Sequence, residues 1–159
     1  KTMKEKIITH LDKLWIKYEN FEHEPAFSCD DAKWIDVPWE RVKSLLLRNK
    51  KPDKFYMVVL PDNKQLDSNF LRKILNENKL SFASPERMQE KIWVQPGHVS
   101  PFALINNISK DVEVIFDNSL LNTLIWFHPW RNDNTTVLEI SWVEKYLTDL
   151  GLNYRYLEL

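Results

Sequence analysis

The sequence predicts an α+β fold organised on a mixed sheet. Three observations carry that reading. Short apolar, β-rich runs such as Phe-Tyr-Met-Val-Val-Leu at 55–60 recur along the chain and read as strands. Segments with apolar residues at i, i+3, i+4 and i+7 lie among them in irregular order rather than in strict alternation. Turn signals such as Lys50-Lys51-Pro52-Asp53-Lys54 join some strands directly into hairpins.

Residues 4–18 carry Ile7, Ile8, Leu11, Leu14 and Trp15 at helical spacing, which predicts an amphipathic helix with His10 as a surface residue. Residues 19–26 alternate, with Phe21 and His23 on one side, and predict a strand ended by Pro25. Ser28 reads as the N-cap of a short helix over 29–35, with Asp30 and Asp31 in its first turn. Residues 42–49 and 55–60 predict a buried hairpin. Asp67 or Ser68 caps a helix bearing Phe70, Leu71, Ile74 and Leu75, and 80–83 is a short strand. Ser84-Pro85-Glu86 starts a helix with proline at its first position. Residues 102–105 predict a strand, Asn106-Asn107 a turn, and 112–116 another strand; Asp117-Asn118 opens a short helical or irregular piece. Residues 122–127 and 135–140 predict two more strands. Ser141 caps a last helix stopped by Gly151, and 154–157 adds an edge strand.

A chain of 159 residues with 43 % hydrophobic content can bury one core, and no repeat or composition shift divides it, so one domain over 1–159 is expected. Its net charge of −1 excludes a protein that coats duplex nucleic acid nonspecifically, though not a local basic patch. Cys29 is the single cysteine, which excludes an intramolecular disulfide and a multi-cysteine zinc cluster and suits a reducing cytoplasm. No apolar run approaches the roughly 18 residues of a membrane span, and no signal-peptide pattern opens the sequence. Cytoplasmic location without a membrane partner is the expectation.

Only two glycines occur in the chain, against an average usage of roughly 7 %. One sits in Gln95-Pro96-Gly97-His98-Val99-Ser100-Pro101-Phe102, framed by two prolines. Glycine admits positive φ and close approach of a ligand to the backbone, while the prolines fix φ on either side. An ordinary tight turn is the plain alternative. Lys43 opens an otherwise apolar or small strand. Its ammonium either reaches water at the strand's start or faces a pocket, where it would hold a phosphate or stabilise developing negative charge. His128 stands at a strand end before a polar loop of Arg131, Asn132, Asp133, Asn134, Thr135 and Thr136. That loop suits sugar hydroxyls or phosphates, or is simply solvated. Arg48, Lys50, Lys51 and Lys54 form the densest basic patch, a candidate for RNA backbone contacts or a solvated hairpin tip. Four histidines without an i, i+4 pair or a carboxylate motif point to no metal. Cys29 has no supporting motif, and Ser100 lacks the nucleophile-elbow context of a hydrolase serine.

Taken together, five pieces in order resemble the prolyl-tRNA editing family, the YbaK or ProRS-associated editing domain. They are Phe21-Glu22-His23-Glu24-Pro25-Ala26; Val42-Lys43-Ser44-Leu45-Leu46-Leu47-Arg48-Asn49-Lys50-Lys51; Leu80-Ser81-Phe82-Ala83-Ser84-Pro85-Glu86; Pro96-Gly97-His98-Val99-Ser100-Pro101-Phe102; and Phe127-His128-Pro129 with Asn132 and Thr135-Thr136. The likeness spans 21–159 and leans toward the ProXp-ala branch, which deacylates alanyl-tRNA(Pro).

The resemblance implies a mixed, mostly antiparallel, partly barrel-like sheet with surrounding helices. It also implies an aminoacyl-tRNA deacylase that clears mischarged tRNA(Pro) in trans without a cofactor. A synthetase pocket shaped for proline cannot exclude something smaller, so a second site that admits only the smaller residue removes it. By the same resemblance Lys43, Gly97 and His128 carry the chemistry. His23, Ser44, Leu46, His98, Val99, Ser100, Pro101, Phe102, Asn132 and Thr135 bind substrate. Arg48, Lys50, Lys51 and Arg131 contact the tRNA backbone. Partners are the tRNA(Pro) acceptor end and prolyl-tRNA synthetase. Ser44 stands where the family usually has asparagine, His98 where it has a small residue, and the segment before Lys43, with Trp39, departs from the usual pattern. Those departures leave serine, cysteine or threonine as alternatives to alanine, and a non-catalytic aminoacyl-tRNA-binding module as the rival class.

Overall fold

Strand β3 (Phe55–Pro61) is buried at every position. An unbroken apolar run is what a strand covered on both faces requires, and the rest of the molecule is arranged around it. The computed structural model describes residues 2–22, 39–51, 53–127 and 134–159, with backbone alone at 21, 22, 39, 134 and 135. Strands β1 (Glu19–Glu22), β2 (Trp39–Asn49), β3, β4 (Leu80–Phe82), β5 (Val112–Asp117), β6 (Leu124–Phe127), β7 (Asn134–Glu139) and β8 (Tyr154–Leu157) form one sheet. Its order is β1-β7-β6-β2-β3-β5-β8, with β4 paired to β2 off this path. The pairs β1–β7, β2–β3, β2–β4 and β6–β7 are antiparallel; β2–β6, β3–β5 and β5–β8 are parallel. The expected α+β class with a mixed sheet is what the chain adopts.

Helices α1 (Met3–Lys13), α2 (Ser68–Ile74), α3 (Pro85–Ile92) and α4 (Ile140–Asp149) cover the sheet. The main core joins Ile7 and Leu11 of α1, Leu46, Met57 and Val59 of β2 and β3, and Val143, Tyr146 and Leu147 of α4. A smaller core on the other face packs Leu71 of α2 against Leu47, Tyr56, Val58, Leu60 and Ile115. Leu46 and Leu47 thus serve different cores, as alternation along a strand dictates.

Local chemistry sets the helix ends. Thr2 and Glu5 form a capping box at α1, Asp67 accepts from the Phe70 N–H at α2, and Ser84 accepts from the Arg87 N–H at α3, with Pro85 at its first position. Gly151 ends α4 at φ 76.

Four expectations are corrected. Residues 101–106 form a 3₁₀ helix (Pro101–Asn106) instead of a strand. A short apolar run reads alike in either state, and Pro101 at a helix start decided it. Helix α1 stops at Lys13, because Trp15 turns left-handed at φ 59 while the Ile16 N–H donates to the Leu11 carbonyl at 3.0 Å. Trp15 is therefore 85 % exposed rather than on the buried stripe. His10 is not a surface residue: it stacks edge-on against buried Tyr146 at 5.1 Å, and its Nε2 lies 2.9 Å from Asp149. Helix α4 begins at Ile140 with Glu139, not Ser141, in the cap position. The expected helix over 29–35 and Cys29 lie outside the described residues.

Candidate active site

Strand β2 has a complete partner on one side and a divided one on the other. Residues Val42 to Arg48 pair with β3. On the opposite edge β6 pairs with residues 39–41 and β4 with residues 47–49. Among the described residues no strand covers the stretch between.

The ladder fixes which backbone groups face this gap. The Arg41 carbonyl accepts from the Asp62 N–H at 2.8 Å and the Asn49 N–H donates to the Lys54 carbonyl at 3.2 Å, so odd-numbered residues aim their main chain at β3. The Leu46 carbonyl accepts from the Ala83 N–H at 2.8 Å, so even-numbered residues aim theirs outward. Ser44 is the even residue at the centre of the gap, and both its N–H and its C=O point into it.

A cavity of about 320 Å³ occupies the gap, lined by Arg41 through Leu46 without a break. Consecutive residues from both faces line it because it lies against the strand's edge. Val42, Ser44 and Leu46 face the main core. Lys43, opposite Leu60, leaves on the other face. The far wall is Pro96, Gly97, Val99 and Ser100, and Asp62, Phe82, Met88 and Phe127 complete it.

Gly97 sits at φ 89, the left-handed region where a side chain is strained. The turn is closed by the His98 N–H donating to the Gln95 carbonyl at 3.0 Å. Ser100 is extended, φ −152, at the N-cap position of the 3₁₀ helix, yet its hydroxyl makes no cap. The Ala103 N–H is taken by the Ser100 carbonyl at 3.1 Å. Ser100 is 1 % exposed and its Oγ has no hydrogen-bond partner among the described residues. Arg41 and Asp62 lie 3.7 Å apart, both about half exposed, a weak pair at the rim. Lys43 has no acceptor within hydrogen-bonding reach among the described residues. Phe82 is 60 % exposed at the mouth.

Of the residues singled out in the sequence, Lys43, Ser44, Leu46, Gly97, Val99 and Ser100 meet around this cavity. Three do not. Phe102 is fully buried beneath it, edge-on to Phe127 at 5.2 Å, and buried Pro101 and half-buried His98 are absent from the lining. His98 therefore does not narrow the cavity. Arg48, Lys50 and Lys51 lie toward the far end of β2 and the tip beyond it. At about 3.3 Å per residue, Arg48 stands roughly 16 Å along the strand from Lys43. His23, His128, Arg131 and Asn132 fall outside the described residues, and Thr135 is described only as a β7 backbone position opposite Phe21. Arg41, Asp62, Phe82, Met88 and Phe127 were not anticipated. For Arg41 and Asp62 a signal existed, since the hairpin register places them opposite each other at the end of β2–β3.

No group of three or more His, Cys, Asp or Glu side chains among the described residues has the arrangement of a metal site. No helix among them is long and apolar enough to cross a membrane.

The fold and site together define a mixed-sheet domain with a small, cationic, glycine-turned pocket of ligand-binding size. The chain belongs to the aminoacyl-tRNA editing domain family: the family model described as "Aminoacyl-tRNA editing domain" matches residues 23–145. It is 34 % identical over 159 residues to the "Prolyl-tRNA editing protein ProX" of Acetoanaerobium sticklandii, covering 98 % of this chain and 97 % of that protein. It is 29 % identical over 129 residues to the "Prolyl-tRNA synthetase associated domain-containing protein 1" of Bos taurus, covering 77 % and 75 %. Its fold is that of a crystal structure assigned by inference as a trans-editing enzyme for prolyl tRNA synthetase, with TM-score 0.72 at 16 % identity over 100 % of this chain and 98 % of that one. The class of an aminoacyl-tRNA deacylase follows from the family.

Proposed function

We propose that the chain, read as one editing domain over 1–159, hydrolyses the ester of mischarged tRNA(Pro) in trans, with alanine as the amino acid removed. The observation that carries this is one cavity gathering a strand-borne cation, Lys43, and a glycine turn, Gly97, around a floor of Leu46 and Phe127. The relationship to a prolyl-tRNA editing protein over nearly the whole length supports the tRNA.

An aminoacyl ester is already activated, so the site must chiefly position water and stabilise an oxyanion. Main-chain N–H groups of the Gly97 turn supply that stabilisation. Lys43, with Arg41 beside it, holds the terminal phosphate or orients the ester. The terminal ribose hydroxyl assists the attacking water; a substrate ending in 2′-deoxyadenosine reacting at full rate would remove this step. Exposed Phe82 offers a face on which the unpaired terminal base stacks. His23, His128, Asn132 and Thr135 complete substrate binding, and Arg48, Lys50, Lys51 and Arg131 track the tRNA backbone. A cavity near the small end of ligand sites, which span roughly 300–1,000 Å³, favours a small acyl group. The reading places the protein in the cytoplasm beside prolyl-tRNA synthetase.

The test is deacylation of Ala-, Ser-, Cys- and Pro-tRNA(Pro) by wild type and Lys43→Ala. Alanine should be released fastest and proline spared, with Lys43→Ala slower by roughly 100-fold or more. Faster release of serine or cysteine would move the substrate. No release of any would leave a binding module.

A further inference from the structure

The cavity presents an ammonium group with a problem. Arg41 and Lys43 both line it, and like charge disfavours a third cation nearby. The α-ammonium of an aminoacyl ester must therefore sit where acceptors converge. Asp62 is the lining carboxylate, but it is at the exposed rim beside Arg41. Two acceptors in the lining stand out. The Ser44 carbonyl points outward from the uncovered edge of β2. The Ser100 hydroxyl is buried with no hydrogen-bond partner among the described residues, although leaving a buried hydroxyl unpaired is costly. It does not cap its own helix end. A buried hydroxyl without a partner, on a residue of the cavity wall, calls for an explanation, and a ligand atom supplies one.

We infer that the Ser44 main-chain carbonyl and the Ser100 hydroxyl together bind the α-ammonium of the aminoacyl ester. The inference rests on the deacylase reading above. One acceptor belongs to the sheet and the other to the loop, so the amine fixes the ester between the two walls. The main-chain acceptor is indifferent to the side chain at 44. An acyl group without the amine gains neither contact and leaves both acceptors unpaired.

The experiment compares alanyl-tRNA(Pro) with propionyl-tRNA(Pro), which differs only in lacking the amine, for wild type, Ser100→Ala and Ser100→Thr. Each variant is referred to wild type on the same substrate, so intrinsic ester reactivity cancels. Ser100→Ala should lose about 10-fold or more in kcat/KM on the alanyl ester and less than two-fold on the propionyl ester. A residual preference for the amine, above the ratio of the two esters' uncatalysed hydrolysis rates and owed to the Ser44 carbonyl, should remain. Ser100→Thr should restore the alanyl rate. The melting temperature of Ser100→Ala should not fall, since the hydroxyl has no partner to lose. Equal losses on both esters, or none on either, would overturn the inference, and complete loss of amine preference would overturn the part assigned to Ser44. Wild type inert toward both esters, and toward the seryl and cysteinyl esters, would instead defeat the deacylase reading.

Discussion

The hydroxyl of Tyr146 donates a 2.9 Å hydrogen bond to the carbonyl of Phe102, and both residues are fully buried. This bond ties α4 to the 3₁₀ helix that follows the Gly97 turn, so the far wall of the cavity is anchored from below. Burial pushes the Tyr146 phenol far up, and it remains a donor at any working pH. Tyr146→Phe removes that buried hydrogen bond from the core. It should cost about 1–3 kcal/mol of stability, read as a lower urea midpoint at unchanged slope. An unchanged midpoint would show that water or another donor takes its place.

Gly97 tests whether the turn's conformation or its openness matters. A Cβ placed there meets nothing within 4 Å, so Gly97→Ala introduces no clash. The cost is conformational, about 1–2 kcal/mol for a left-handed alanine. The variant should stay folded, and deacylation should drop because the turn's N–H groups are re-aimed. Full activity in a folded Gly97→Ala would take the turn out of the chemistry.

The pH dependence of stability should have two limbs. Burial pulls the His10 imidazole below its ordinary 6.5, with Asp149 opposing and Lys13 assisting. The folded state resists the proton, so stability is intact above pH 6.5 and declines as pH falls through the lowered folded value. His10→Gln should flatten this limb, and Asp149→Asn should steepen it.

The second limb belongs to carboxylates. Burial alone would raise Asp117, but hydrogen bonds from Ser119, the Leu159 N–H and Lys64 outweigh it and hold the carboxyl below the ordinary 3.8. Asp111 is held down in the same sense by Lys91, Asn107 and Ser109. A depressed carboxylate stabilises above its unfolded pKa and loses that contribution as pH falls through the folded one. Denaturation series from pH 7 to 2 should show Asp117→Asn shallower below pH 4 than wild type. A parallel curve would remove Asp117 from the acid transition.

With two glycines, the chain turns left-handed mostly on other residues: Trp15, Asn76, Trp93, Lys110 and Asn122. Trp15 has φ 59 and little burial to lose. Trp15→Gly should therefore raise stability by about 1 kcal/mol, seen as a higher melting temperature. A decrease would mean that its indole packs on something beyond this chain.

Much of the fold follows from local chemistry legible in the sequence. The caps at Ser84 and Asp67, the stop at Gly151, the β2–β3 hairpin and the edge strand β8 are set by residues within a few positions of each other. The errors arose where two local states compete. Residues 102–105 read equally well as strand or 3₁₀ helix. Trp15 continued the apolar stripe although the chain had already left the helix, and nothing local says that His10 would meet Tyr146.

The sequence by itself determined which residue types were available to a site: one strand lysine, one proline-framed glycine, and a chain too poor in cysteine to build a thiolate metal cluster. Only the tertiary structure decided that β4 and β6 share one edge of β2 and, among the described residues, leave Ser44 without a strand partner between them, that Asp62 and Phe82 reach the same cavity, and that Phe102 stays out of its lining. Pairing along an edge depends on partners some 31 to 85 residues away in the chain. No local propensity encodes such a gap, because it consists of hydrogen bonds that were not made.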